Sequence, residues 1–129
     1  MITRQEIFDY VLKKYQTIAD YPFDEDFDTA CLRHQSGKWY GLIMHVNNKS
    51  LKINKEGLSE IINLKIEPEL NHFLKGQAGV LPAYHMNKEH WITFILDSPF
   101  NKDELLSLID MSYELTQRKK PLKALNHLK

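Results

Sequence analysis

Two histidines, His85 and His90, bracket the polar run Met86-Asn87-Lys88-Glu89 and are the side chains best spaced for chemistry in this chain. If the stretches around that run pair as antiparallel strands, opposed Cβ atoms lie about 5 Å apart and both imidazoles can meet one metal ion. Two ligands leave a tetrahedral site half built and spacing marks no third, so hydrogen-bonded structural histidines are the competing account, and no cofactor is expected. The same pair could line a small-ligand pocket with Tyr84, Asn87 and Lys88 if the five converge. Cys31 stands between Ala30 and Leu32; as the lone cysteine it cannot close an internal disulfide, and without a base beside it a small core residue is the simpler reading. A Gly-rich phosphate loop, a G-x-S-x-G elbow, a paired Cys-x-x-Cys and an H-E-x-x-H are all absent, so a non-enzymatic protein is expected.

The elements that must carry these residues follow from periodicity. Thr3 with Glu6 forms a capping box, and Ile7, Phe8, Val11, Leu12, Tyr15 and Ile18 recur at helical spacing, which predicts a helix over about residues 3 to 19. Tyr21-Pro22 ends it. Between Thr29 and Val46 two strands flank Gln35-Ser36-Gly37-Lys38, whose glycine suits a tight turn. The nearly continuous apolar run Gly41 to Val46 reads as a central strand. A further strand is expected within Leu51 to Ile66, then a short helix opened by Pro68 and closed by Gly76. Gly79 to Asp97 reads as two strands joined by a short turn, and Asn101 to Glu104 caps a last helix carrying Leu105, Leu108, Ile109 and Ser112 on one stripe. The expected class is α+β: one antiparallel sheet of five to six strands packed on helices, in the order α-β-β-β-α-β-β-α.

A chain of 129 residues with 43% apolar and 26% charged side chains is the size and make-up of one domain, here residues 1–129. It offers neither a bilayer-spanning apolar run nor the layout of a secretory signal, so a cytoplasmic protein is expected. Seventeen basic residues balance seventeen acidic ones, which argues against a bulk electrostatic nucleic-acid binder. The charges are unevenly placed: Asp20, Asp24, Glu25, Asp26 and Asp28 crowd one segment, while Arg118, Lys119, Lys120, Lys123 and Lys129 form a basic tail from about 118. Solvation alone accounts for such runs in many proteins.

Several stretches carry a resemblance: Tyr21-Pro22-Phe23, Lys38-Trp39-Tyr40, Ile62-Asn63-Leu64-Lys65 with Pro68-Glu69-Leu70, Ile109-Asp110-Met111-Ser112-Tyr113, and above all Pro82 to Thr93 with Asn87, Lys88, His90 and Trp91. Over nearly the whole chain, up to about Gln117, the sequence resembles the MmcQ/YjbR family of small bacterial proteins. The resemblance implies an antiparallel sheet on helices, a double-wing, DNA-binding-like arrangement that is also similar to secretion chaperones. It assigns no catalytic residues, and its DNA-binding label rests on likeness of shape.

Two roles are therefore expected. In the first, hairpin wings set Lys38, Lys88, Arg33 and His90 against DNA phosphates, aided by Arg118, Lys119 and Lys120, with Trp39 and Tyr84 as stacking platforms. In the second, a sheet face or edge holds a protein partner, and the chain is an adaptor. Neither involves a membrane, and a monomer is favoured.

Overall fold

The structure is a computed structural model that describes residues 1–117. Eight elements follow the expected order: α1 (Arg4–Tyr15), β1 (Ala30–Arg33), β2 (Trp39–Asn47), β3 (Leu58–Lys65), α2 (Pro68–Leu74), β4 (Val80–Pro82), β5 (Trp91–Ile95) and α3 (Lys102–Thr116). The five strands form one sheet in the order β1-β2-β3-β5-β4, and every neighbouring pair is antiparallel.

Alternation along the strands separates two faces. Ala30, Leu32, Ile43, Ile62, Leu64, Ile92 and Phe94 point to the helices, where Ile7 and Val11 of α1 and Leu105, Leu108 and Ile109 of α3 complete the core. The other face holds Leu42, Ile61, Asn63 and Thr93, also buried. Such two-sided burial explains why β2 and β3 read as almost unbroken apolar runs. Register breaks once, between Leu32 and Arg33, where Gly41 and then Trp39 are the partners and Tyr40 is the extra residue of a bulge. The bulge turns Tyr40 into the helix-side core, fully buried.

Ser112 of α3 fastens helix to sheet at this bulge. Its hydroxyl donates to the Tyr40 carbonyl (2.6 Å) and accepts from the Lys65 N–H (2.9 Å). Ser112→Ala leaves two backbone groups without partners in a buried setting, and thermal or denaturant unfolding should report a loss of about 2 kcal/mol.

Two expectations are corrected. Helix α1 stops at Tyr15 rather than near residue 19, because Gln16 adopts a left-handed backbone (φ 58°) and returns its N–H to the Leu12 carbonyl. Ile18, counted on the helical stripe, consequently lies beyond the helix and is 80% exposed. Likewise, Gly79 to Asp97 is no tight hairpin: β4 ends at Pro82 and β5 begins at Trp91, so His85 and His90 lie in a long connection rather than opposite each other on strands. Proline cannot donate to the ladder, which is the local reason β4 is only three residues long. Gly79 precedes β4 with φ 83°, and a Cβ there would collide with Ser98.

The sheet borders are closed off. Asp20 exchanges both backbone hydrogen bonds with Cys31 (3.1 and 2.8 Å) along the free side of β1. Burial pushes the Cys31 thiol up to about 12, and an un-ionised, enclosed sulfur makes a poor nucleophile.

Candidate functional site

The 83–90 connection is held at almost every residue. Asn87 accepts from the N–H groups of Glu89 (2.9 Å) and His90 (3.0 Å) through its side chain, while its carbonyl accepts from Trp91 N–H (3.0 Å). The Lys88 ammonium donates to the Ala83 carbonyl at 2.6 Å. Asn71 of α2 reaches across and donates to the Lys88, Glu89 and Trp91 carbonyls. Beneath the loop, Thr93 donates to the Asn63 side-chain oxygen, Asn63 donates to the Tyr84 carbonyl (3.0 Å), and Tyr84 N–H returns to Thr93 (2.9 Å). The distinctive Asn87, Lys88 and Trp91 therefore have structural work here: they build the loop. Trp91 is half-buried with the Lys65 ammonium 5.6 Å from its ring centre.

Topology brings the phosphate-contact candidates to one end of the sheet. The start of β2 faces the end of β3 at Gly41 and Leu64, and Lys65 faces Trp91, so the 34–38 turn, Lys65 and the 83–90 loop lie side by side. The last turn of α3 joins them, since Thr116 meets His34 Nε2 at 2.8 Å. Within this end the candidates differ. Lys38 is exposed. His90 is exposed too, with Glu89 3.8 Å away. Arg33 pairs with Asp20, its Nε at 3.2 Å from a carboxylate oxygen, and Lys88 is committed to the Ala83 carbonyl. Arg118, Lys119 and Lys120 lie outside the described residues. Trp39 is half-buried in an edge-to-face contact with Phe23, with ring centres 5.8 Å apart.

Of the five residues considered as a ligand pocket, Tyr84, His85 and Lys88 border one recess; Asn87 and His90 do not. Tyr84 and His85 stack at 3.9 Å with ring planes 14° apart. Among the described residues no three His, Cys, Asp or Glu side chains are placed to hold a metal ion.

The far end of the sheet has a different charge pattern. There Arg4 donates to Glu60 (2.5 Å) and to the Asp28 carbonyl (2.6 Å), and Asp28 accepts from both the N–H and the Nδ1 of His45 at 2.7 Å. Burial raises the Asp28 carboxyl, but the His45 hydrogen bonds and the Arg4 charge outweigh it and leave the group below its ordinary value.

A tyrosine cluster between α1, β2 and α3 was not anticipated from sequence. Tyr15 and Tyr113 stack at 3.7 Å, Tyr40 meets both edge-on, and Tyr10 and Tyr15 donate to Asp110 at 2.8 and 2.6 Å. A 430 Å³ cleft lined by Tyr15, Gln16, Arg33, His34 and Tyr113 opens beside it. Burial lowers the His34 pKa and, with Asp110, raises that of Tyr15. Such phenols stay protonated at neutral pH and act as hydrogen-bond donors, not as bases.

Comparison with known proteins matches this arrangement. The chain is 43% identical to the uncharacterized protein YyaQ of Bacillus subtilis over 118 residues, covering 91% of this chain and all of that one. It is 39% identical over 54 residues to YjbR of Escherichia coli K12, covering 41% of this chain and 46% of that one. A crystal structure of a Pseudomonas syringae protein superposes with a TM-score of 0.86 at 43% identity, covering 90% of this chain and 100% of that chain. A Deinococcus radiodurans protein superposes at 0.70 with 26% identity, over 92% and 81% of the two chains. The family model described as YjbR matches residues 12–115, and the chain belongs to the YjbR family.

Proposed function

We propose that the chain is a non-catalytic, cytoplasmic nucleic-acid-binding module that meets the phosphate backbone with one end of its sheet. The observation that carries this reading is the shared location of Lys38, Lys65 and His90, supplied by the β1–β2 turn, the end of β3 and the 83–90 loop at neighbouring strand ends. In sequence, α3 is followed by Arg118, Lys119 and Lys120. The contact set is small. Glu67 and Glu89 sit among these cations in sequence, Arg33 is neutralised by Asp20, and the whole chain carries no net charge. About four phosphate contacts give a log-log salt slope of about −3.6, so raising salt about fourfold should weaken binding roughly a hundredfold.

Fluorescence anisotropy of a labelled duplex titrated with the protein at low and at physiological salt tests this. Retention at low salt, with that slope and a slope shallower by about one in Lys38→Gln, is the expected result. Failure to bind any duplex at low salt removes the proposal.

A second reading, a protein-interaction adaptor, is favoured by a different observation. Phe8, Leu12, Ile18 and Tyr21 line a groove of 220 Å³ beside α1, and Ile18 is 80% exposed. Large apolar groups left this open commonly mark contact surfaces. Ile18→Lys in the same titration separates the two readings: DNA binding should be unchanged, whereas an adaptor would lose its partner in affinity capture after nuclease treatment.

A further inference from the structure

The 48–57 connection between β2 and β3 and the 83–90 loop leave a trough of 530 Å³ between them. It lies over the sheet face away from the helices, because Tyr84 is tied to Asn63 and Thr93 on that face. Leu51, Lys52, Leu81, Tyr84, His85 and Lys88 bound it. A second recess of 260 Å³ adjoins it, sharing Leu81, Pro82 and Lys88 and adding Lys75 and Asn71.

Three features single out this place. First, its ionisable lining is Lys52, Lys75, Lys88, Tyr84 and His85, and among the described residues no carboxylate borders either recess. In a chain with equal numbers of acids and bases, a concave surface with cations alone focuses a positive potential. Second, the Tyr84–His85 stack supplies a flat aromatic wall, and Leu51, Leu81 and Pro82 supply apolar ones, the mixture characteristic of small-molecule sites of this size. Third, two of the four non-glycine residues with left-handed backbones among the described residues, Lys52 (φ 62°) and His85 (φ 57°), stand on opposite rims. That conformation costs about 1 kcal/mol per residue and persists where surrounding contacts over-determine it. Around His85 those contacts are the paired bonds of Asn63 and Thr93 to the Tyr84 backbone.

We propose that this trough binds a small anion with a planar ring, of the size and chemistry of a nucleoside monophosphate. The ring lies against the Tyr84–His85 wall, and the Lys52 ammonium faces the anionic group, while Lys88, bonded to the Ala83 carbonyl, adds positive charge at the rim. Lys52 and His85, which are not among the groups assigned to the duplex, separate this site from the duplex-binding reading; Tyr84 and Lys88 are common to both.

The probe is adenosine monophosphate, followed by amide chemical shifts of the isotope-labelled full chain, with adenosine as the uncharged control. Saturable shifts at Leu51, Lys52, Tyr84 and His85 are expected, weakened about tenfold or more in Lys52→Glu and for adenosine. His85→Gly removes the ring while relieving the left-handed backbone, so it should weaken binding and leave the melting temperature equal or higher. That combination is not what a merely structural histidine would give. The absence of saturable shifts at these amides, equal binding of adenosine, or unchanged affinity in Lys52→Glu overturns the proposal.

Discussion

Asn63→Ala is expected to lower the unfolding free energy by about 4 kcal/mol, the largest single effect anticipated for a polar position in this protein. Asn63 is fully buried, as is Thr93. Removing its side chain strips the Thr93 hydroxyl of its acceptor and the Tyr84 carbonyl of its donor, and opens a cavity between two central strands. Each orphaned group costs about 1–3 kcal/mol, because water cannot replace the lost partner without entering the sheet face. Thr93→Val should cost about 2 kcal/mol, and the double variant less than the sum of the two, since one bond is common to both. Urea unfolding with a double-mutant cycle measures this. Additive costs would show that the three groups do not form one network. Hydrogen exchange offers a second readout: the Tyr84 amide, which donates to Thr93, should speed up in either variant by more than the common increase that lower global stability gives the α3 amides.

Asp110→Ala should cost about 3 kcal/mol and change how the protein responds to acid. The Asp110 carboxylate, only a quarter exposed, accepts from Tyr15 (2.6 Å), Tyr10 (2.8 Å) and Lys14 (2.9 Å), joining α1 to α3. Burial raises its pKa, but the bonds from Lys14, Tyr15 and Tyr10 more than offset it, so the folded value lies below 3.8. A carboxyl depressed in this way stabilises the fold fully above its unfolded value, and the contribution is lost as pH falls through the folded one. Asp110→Asn should therefore flatten the acid side of the stability curve below about pH 4, while the slope from Asp28, depressed in the same direction, remains. On the alkaline side the sign reverses. Tyr10, Tyr15 and Tyr40 are all raised above 10.0 by burial first, so their contribution is complete below pH 10 and declines as unfolded phenols ionise above it. An acid limb identical in wild type and Asp110→Asn would refute the assignment.

Much of the architecture is legible in local chemistry. The Thr3–Glu6 box and the Asn101 side chain cap the helices they announce, Pro68 opens α2, and the continuous apolar character of residues 41–46 corresponds to a strand covered on both faces. The misreadings have a common physical origin. Ile18 satisfies a helical stripe, but one residue's left-handed turn at Gln16 ends the helix, and periodicity carries no information about that dihedral. The 83–90 loop looks like a turn because its residues are polar; its geometry is instead set by Asn71, from another element, and by Lys88 bonding back to Ala83. Asn63 did offer a signal, as a lone amide inside Ile-Ile-Asn-Leu, where burial requires partners. The Asp110 knot offered none by spacing, since Tyr10 and Tyr15 stand about a hundred residues away and only the packing of α1 on α3 unites them.

Capping of both outermost strands limits how this molecule can associate. One side is already paired by Asp20 and the other stops at Pro82, so neither offers a ladder onto which an incoming extended peptide or a neighbouring copy could zip. An incoming strand therefore meets little free backbone ladder at either border, which disfavours open-ended edge-to-edge polymerisation.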